Sequence, residues 1–82
     1  MYWVYIVKCS DKTLYTGITT DIKRRVGEHN HSALGAKYTR GRRPVKLVYS
    51  RKCRNKSLAA KEEARIKKLS RQEKLELIKY NQ

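Results

Sequence analysis

Tyr5, Tyr15, Arg25 and His29 are the side chains of this sequence that could do chemistry together, and the chemistry they suggest is work on a phosphate. Arg25 and His29 stand four positions apart, so on a helix they stack on one face. Ile22 and Val26 lie near that face, which turns it inward. An arginine drawn toward a core binds a carboxylate, a backbone carbonyl or a phosphate, and its planar fork grips phosphate oxygens through two hydrogen bonds. The plainer readings are a structural ion pair for Arg25 and a satisfied polar group near a helix end for His29.

The tyrosines belong to two strands. If the loop between them is Ser10 to Lys12, Tyr5 faces Gly17 and Val7 faces Tyr15. Directly paired residues share a sheet face, so Tyr5, Tyr15 and Gly17 would line one side. Gly17 has no side chain and leaves the backbone open beside the rings. The plain reading of both tyrosines is cross-strand packing. Phosphodiester hydrolysis also needs the phosphate charge neutralised, which Mg²⁺ does through one or two carboxylates plus waters. Acids are few here. Asp11 falls in a turn, Asp21 at a helix cap, and Glu62 and Glu63 on a later helix. Glu62 lies nearer the middle of that helix's apolar stripe. Glu63 lies nearer its edge, where it can face a cleft.

These residues need elements to position them. Tyr2 to Cys9 is rich in aromatic and β-branched residues and reads as a strand. Its apolar run does not alternate, which predicts burial on both faces. Ser10, Asp11 and Lys12 supply turn chemistry, and Thr13 to Thr19 reads as the antiparallel partner. Thr20 or Asp21 can cap a helix that carries Ile22, Val26 and His29. Asn30 to Pro44, with two glycines and a proline, reads mainly as loop, and a loop of that length is often functional. Val45 to Ser50 alternates as a third strand. Ser57 can cap a helix with Leu58, Ala59, Ile66 and Leu69 inward. Ser70 to Glu73 is a capping box that starts another, packed through Leu75 and Ile78. The expectation is one α+β domain over residues 1–82, in the order β-β-α-β-α-α.

Composition narrows the partner. Lys and Arg number 21 against 7 Asp and Glu, a formal net charge of +14. Such a surface draws polyanions at long range. Nucleic acid is the expected partner, because no segment reads as a basic amphipathic helix for a membrane surface. Charge alone separates neither RNA from DNA nor a binder from an enzyme. Cys9 and Cys53 make no metal-ligand spacing and read as buried thiols. The start of the chain lacks a signal-peptide pattern and no run approaches the length of a membrane span, so the expected location is cytoplasmic.

Taken together, these pieces resemble the GIY-YIG nuclease superfamily. Its two tripeptides fall on Trp3-Val4-Tyr5 and Tyr15-Thr16-Gly17, its arginine and histidine on Arg25 and His29, and its glutamate on Glu63. The resemblance runs from Trp3 to Leu77 and is strongest to small stand-alone bacterial members. It implies a three-stranded antiparallel sheet flanked by three helices. It also implies an endonuclease that cuts DNA phosphodiesters with a single Mg²⁺ or Mn²⁺, structure-selective rather than sequence-selective, in repair or recombination. By the same resemblance Glu63 holds the metal, Tyr5 or Tyr15 helps activate water, and Arg25 stabilises transition-state charge. His29 assists proton transfer or positions the phosphate. Lys37, Tyr38, Arg40, Arg42 and Arg43 track the backbone of the nucleic acid, and the domain works as a monomer or weak dimer. Trp3-Val4 departs from the family's first tripeptide, and Asn81 is a poor counterpart for the asparagine many members carry late in the domain. The alternative is therefore a basic nucleic-acid-binding module with weak or no catalysis.

Overall fold

A computed structural model describes residues 1–80, so Asn81 lies outside the described residues. Strands β1 (Tyr2–Lys8), β2 (Leu14–Thr19) and β3 (Lys46–Cys53) form one antiparallel sheet in the order β2-β1-β3. The non-alternating strand is thus the central one. Val4, Tyr5, Ile6 and Val7 are all buried because both faces of β1 are covered. The β1–β2 register pairs Tyr5 with Gly17 and Val7 with Tyr15, as an odd loop requires. That loop closes with Lys12 in a left-handed conformation (φ 69°), steadied by Asp11 Oδ1, which accepts from Thr13 N at 3.1 Å and Thr13 Oγ1 at 2.6 Å.

Helix α1 (Ile22–His31) starts where Asp21 accepts from Arg24 N. It lays Ile22 and Val26 against the sheet face that carries Tyr5, Val7, Cys9 and Val45. Helices α3 (Lys56–Lys67) and α4 (Arg71–Tyr80) belong to the other face. There Ala59 and Ile66 join Val4, Ile6, Tyr49 and Cys53, with Leu77 and Ile78 packed against them. The capping box forms in full, Ser70 N donating to Glu73 Oε1 and Glu73 N to Ser70 Oγ.

Three local expectations change. Asn55, not Ser57, caps α3 by accepting from Leu58 N. Leu58 is 45% exposed and Leu75 also faces solvent, so Leu77 does the packing expected of Leu75. The segment expected as loop contains a one-turn helix, α2 (Lys37–Arg40). Polar anchors hold it down. Asn30 Nδ2 donates to Val45 O, Asn30 Oδ1 accepts from Val45 N at 2.7 Å, and Arg40 Nη2 donates to Ala33 O. Gly35 allows the chain to pass against α1, where a Cβ would lie 2.7 Å from Glu28 O.

Candidate active site

Tyr5 sits on the central strand with its ring laid across Gly17. A Cβ at Gly17 would lie 2.6 Å from the Tyr5 hydroxyl, so the missing side chain makes the space for that hydroxyl. From there Tyr5 Oη lies 2.7 Å from His29 Nε2. His29 is fully buried, and its other nitrogen, Nδ1, lies 2.8 Å from Thr39 Oγ1 of α2. Thr39, also fully buried, donates from Oγ1 to Ala36 O at 2.9 Å. Hairpin, α1 and α2 thus meet at one imidazole.

The electrostatics follow from burial. Loss of water pushes the Tyr5 phenol up to about 12, with Tyr15 and Glu63 adding to the rise and the Arg25 guanidinium opposing it. Burial also lowers the His29 pKa, as do the nearby Arg25 and Arg43. At neutral pH both groups are uncharged. Arg25 would lose affinity for its proton by burial, but hydrogen bonds with Glu28 and Tyr5 outweigh that and raise its pKa. One nitrogen anchors its fork, Nη1 donating to Glu28 Oε1 at 2.9 Å and Leu34 O at 2.8 Å. Donors on the remaining nitrogens are left for Tyr5 and for an incoming anion.

Tyr15 meets His29 edge-on with centroids 5.4 Å apart and stacks on Tyr38 at 5.8 Å. Arg42 covers the same Tyr38 ring at 4.1 Å and pairs with Asp11 of the hairpin loop at 3.0 Å. Tyr38 therefore spends its ring holding Tyr15 and Arg42 together, leaving its hydroxyl for a ligand.

The two glutamates separate cleanly. Glu62 accepts from Arg65 Nε and Nη2 at 2.8 Å each and from Arg51 Nη1 at 3.1 Å, which holds its carboxyl below the usual range. Glu63 has Lys67 Nζ at 3.4 Å and bears electrostatically on the Tyr5 hydroxyl. Of the pair, Glu63 is the one with capacity to spare. Its donors are carboxylate oxygens, the chemistry a hard ion such as Mg²⁺ or Mn²⁺ takes while keeping most of its waters. Among the described residues no group of three or more His, Cys, Asp or Glu converges, and Glu63 is the carboxylate that would hold such an ion.

The basic residues divide in the same way. Lys37 and Arg40 are exposed on α2 beside the site. Arg43 turns inward instead. Its Nε donates to His29 O and its Nη2 to Ser32 O and Glu28 O, capping the last turn of α1. Its contacts are those of a structural clamp rather than of a residue tracking a phosphate backbone. Glu62 also lines a largely cationic trough of about 440 Å³, together with Arg51, Lys52, Arg54, Lys61 and Arg65. Thr39 and Asn30 escaped the sequence reading, because a lone threonine and a lone asparagine carry no periodicity. A pair of glycines enclosing a buried position, Gly35 and Gly41 around Thr39, was the available hint.

A family model for the GIY-YIG catalytic domain matches residues 1–79. A UPF0213 protein from Desulfotalea psychrophila is 60% identical over 95% of this chain and 71% of its own length. One from Syntrophus aciditrophicus is 58% identical over 96% and 91%. The solution NMR structure of a UPF0213 protein from Bacillus halodurans superposes with a TM-score of 0.62 at 45% identity, covering 96% of this chain and 84% of that one. With the one-turn α2 set aside, the β-β-α-β-α-α order and its three-stranded antiparallel sheet are common ground with that structure.

Proposed function

The chain belongs to the GIY-YIG family of nuclease domains, and on that premise we propose that it is a divalent-metal-dependent endonuclease acting on DNA, structure-selective, in repair or recombination. One observation carries the reading. Tyr5, Tyr15, Arg25 and His29 converge on one imidazole-centred cluster, and Glu63 is the glutamate left with oxygens to offer. A +14 surface supplies the attraction for a polyanion. No helix among the described residues is long and apolar enough to cross a membrane.

The chemistry assigned to this chain starts with Arg25. Its fork, anchored at Nη1, binds the scissile phosphate and stabilises the charge that grows as water attacks. Tyr5 holds its proton at neutral pH, so it accepts one from water only if its own leaves in the same event. His29 Nε2, 2.7 Å away and uncharged, is the acceptor. Water gives H⁺ to Tyr5 Oη, Tyr5 gives H⁺ to His29, and the P–O bond to the leaving oxygen breaks as the new one forms; the leaving oxygen takes a proton from solvent and His29 later returns its own. A divalent ion held by Glu63 would supply charge neutralisation on the phosphate. Lys37, Arg40 and Arg42 lie along the exposed side of the cluster as backbone contacts. The trough at Glu62 offers a second cationic surface for a flanking duplex arm, which favours flapped or branched substrates over linear ones.

The test uses end-labelled linear, flapped and four-way DNA with Mg²⁺, Mn²⁺ or chelator. Glu63→Gln should abolish metal-dependent cleavage while binding persists. Glu62→Gln should keep cleavage and lose a fraction of a kcal/mol, up to about 1, since its partners are exposed arginines. Binding without cuts by the wild type on every substrate would favour the inactive-module reading. Full cleavage by Glu63→Gln would remove that residue from the site.

A further inference from the structure

We propose that the Thr39 hydroxyl is a positioning residue that fixes the tautomer of His29 and so decides which way the Tyr5 proton points. Four groups, Ala36 O, Thr39, His29 and Tyr5, form one chain of protons. Thr39 has one hydroxyl proton, and Ala36 O lies 2.9 Å from Oγ1 in position to take it. With that proton committed, Thr39 Oγ1 faces His29 Nδ1 at 2.8 Å as an acceptor. Nδ1 must then carry the imidazole proton. In a neutral ring this leaves Nε2 with a lone pair, 2.7 Å from Tyr5 Oη, so Tyr5 donates to it.

The other end of the chain agrees. The Arg25 guanidinium lies close enough to the Tyr5 hydroxyl to act on its charge, and an arginine carries only donors. A Tyr5 lone pair turned toward that cation sends the hydroxyl proton elsewhere, and His29 Nε2 is the partner within hydrogen-bond reach. The reversed chain, with Nε2–H donating to Tyr5, would set two lone pairs against each other between Thr39 and Ala36 and leave the Tyr5 proton facing Arg25. In the forward chain every member is satisfied, consistent with no unpartnered buried side-chain nitrogen or oxygen among the described residues.

The consequence is directional. A Tyr5 proton aimed inward leaves the phenol's lone pairs aimed outward, where they can receive a proton from water. Turned around, His29 would hand Tyr5 a proton it does not need, and the inward route would close. Thr39 reaches this place because Gly35 lets the loop press against α1 and because Arg43 and Asn30 clamp its ends. This inference rests on the proposed nuclease chemistry for its meaning but not for its test.

Ring nitrogen-15 NMR of His29, assigned with a His31→Gln variant and read above its titration, distinguishes the two tautomers without substrate. The wild type should show Nδ1 protonated and Nε2 bare. Thr39→Ser should keep that pattern, and Thr39→Val should lose it in favour of Nε2–H. If cleavage is present, Thr39→Val should lower kcat at least about tenfold, toward the roughly 10²–10⁴ that a positioned proton acceptor contributes, with DNA affinity unchanged and Thr39→Ser restoring the rate. A wild type with Nε2–H overturns the proposal whether or not Thr39→Val folds, and so does a folded Thr39→Val that keeps Nδ1–H. An inactive wild type with the Nδ1–H pattern would count against the nuclease reading alone.

Discussion

Adding one methyl group at Gly17 should do more damage than its size suggests. The new Cβ would lie 2.6 Å from Tyr5 Oη, 2.8 Å from Cζ and 3.1 Å from Cε1, where ordinary contacts begin near 3.4 Å. Relief requires the ring end to retreat by roughly 0.8 Å, an overpacking of the kind that costs about 1–3 kcal/mol. Tyr5 is 1% exposed, so there is no open side to yield into. A displacement of that size disrupts the 2.7 Å contact with His29. Stranding those two buried polar atoms adds about 1–3 kcal/mol. Gly17→Ala should therefore lose about 2–6 kcal/mol, and at ~4–8 °C per kcal/mol its Tm should fall by about 10 °C or more. Gly27→Ala is the matched control. Nothing lies within 4 Å of a Cβ there and the position is inside α1, so it should gain about 0.5–1 kcal/mol. Thermal melts of the two variants check the pair, and DNA cleavage should fall with Gly17→Ala alone. Equal melting temperatures for Gly17→Ala and wild type would refute the claim that Gly17 exists to seat the Tyr5 hydroxyl.

Two further outcomes follow from the same contacts. The Tyr5 pKa is raised from 10.0 to about 12 chiefly by burial, so the folded state holds this proton more tightly than the unfolded chain. The stability this adds is fully present below pH 10 and is lost as pH rises through about 12. Tyr5→Phe should flatten that alkaline limb in a plot of Tm against pH, and a variant curve as steep as the wild type would place the titration elsewhere. Arg43→Ala should cost about 1–3 kcal/mol by removing a guanidinium that donates to three carbonyls at the end of α1, of which Glu28 O and Ser32 O keep backbone donors, with DNA affinity changed less than by Arg40→Ala. Arg43→Lys should fail to restore the melt, because an ammonium cannot span the same carbonyls as a fork. Loss of affinity larger than that of Arg40→Ala, at unchanged stability, would return Arg43 to the nucleic-acid surface.

Local rules were enough to settle much of this protein from its sequence. An odd hairpin loop and the period of two place Tyr5, Tyr15 and Gly17 on one face. A four-residue spacing stacked Arg25 over His29, and the Ser70–Glu73 pattern started α4 where it begins. These are short-range consequences of backbone geometry, so they survive folding unchanged. The choice between adjacent caps and adjacent leucines did not survive. Asn55 against Ser57, and Leu77 against Leu75, differ by about two residues, and tertiary packing decides within that margin.

The site's second half was decided only in three dimensions. Nothing in the spacing of GAKYTRG says that Thr39 lies against the imbedded ring of His29, ten positions earlier. Nor does sequence say that Arg43 turns back on α1 while Arg42 stacks outward on Tyr38. Glu62 and Glu63 are neighbours with the same chemistry, and position on the helix stripe only ranked them. The structure separates them by giving Glu62 two arginines from β3 and α3 and leaving Glu63 a single lysine. The physical reason is common to all three cases. A side chain's type and its place on an element are set by local geometry, whereas its partner is set by which distant segment arrives across the gap.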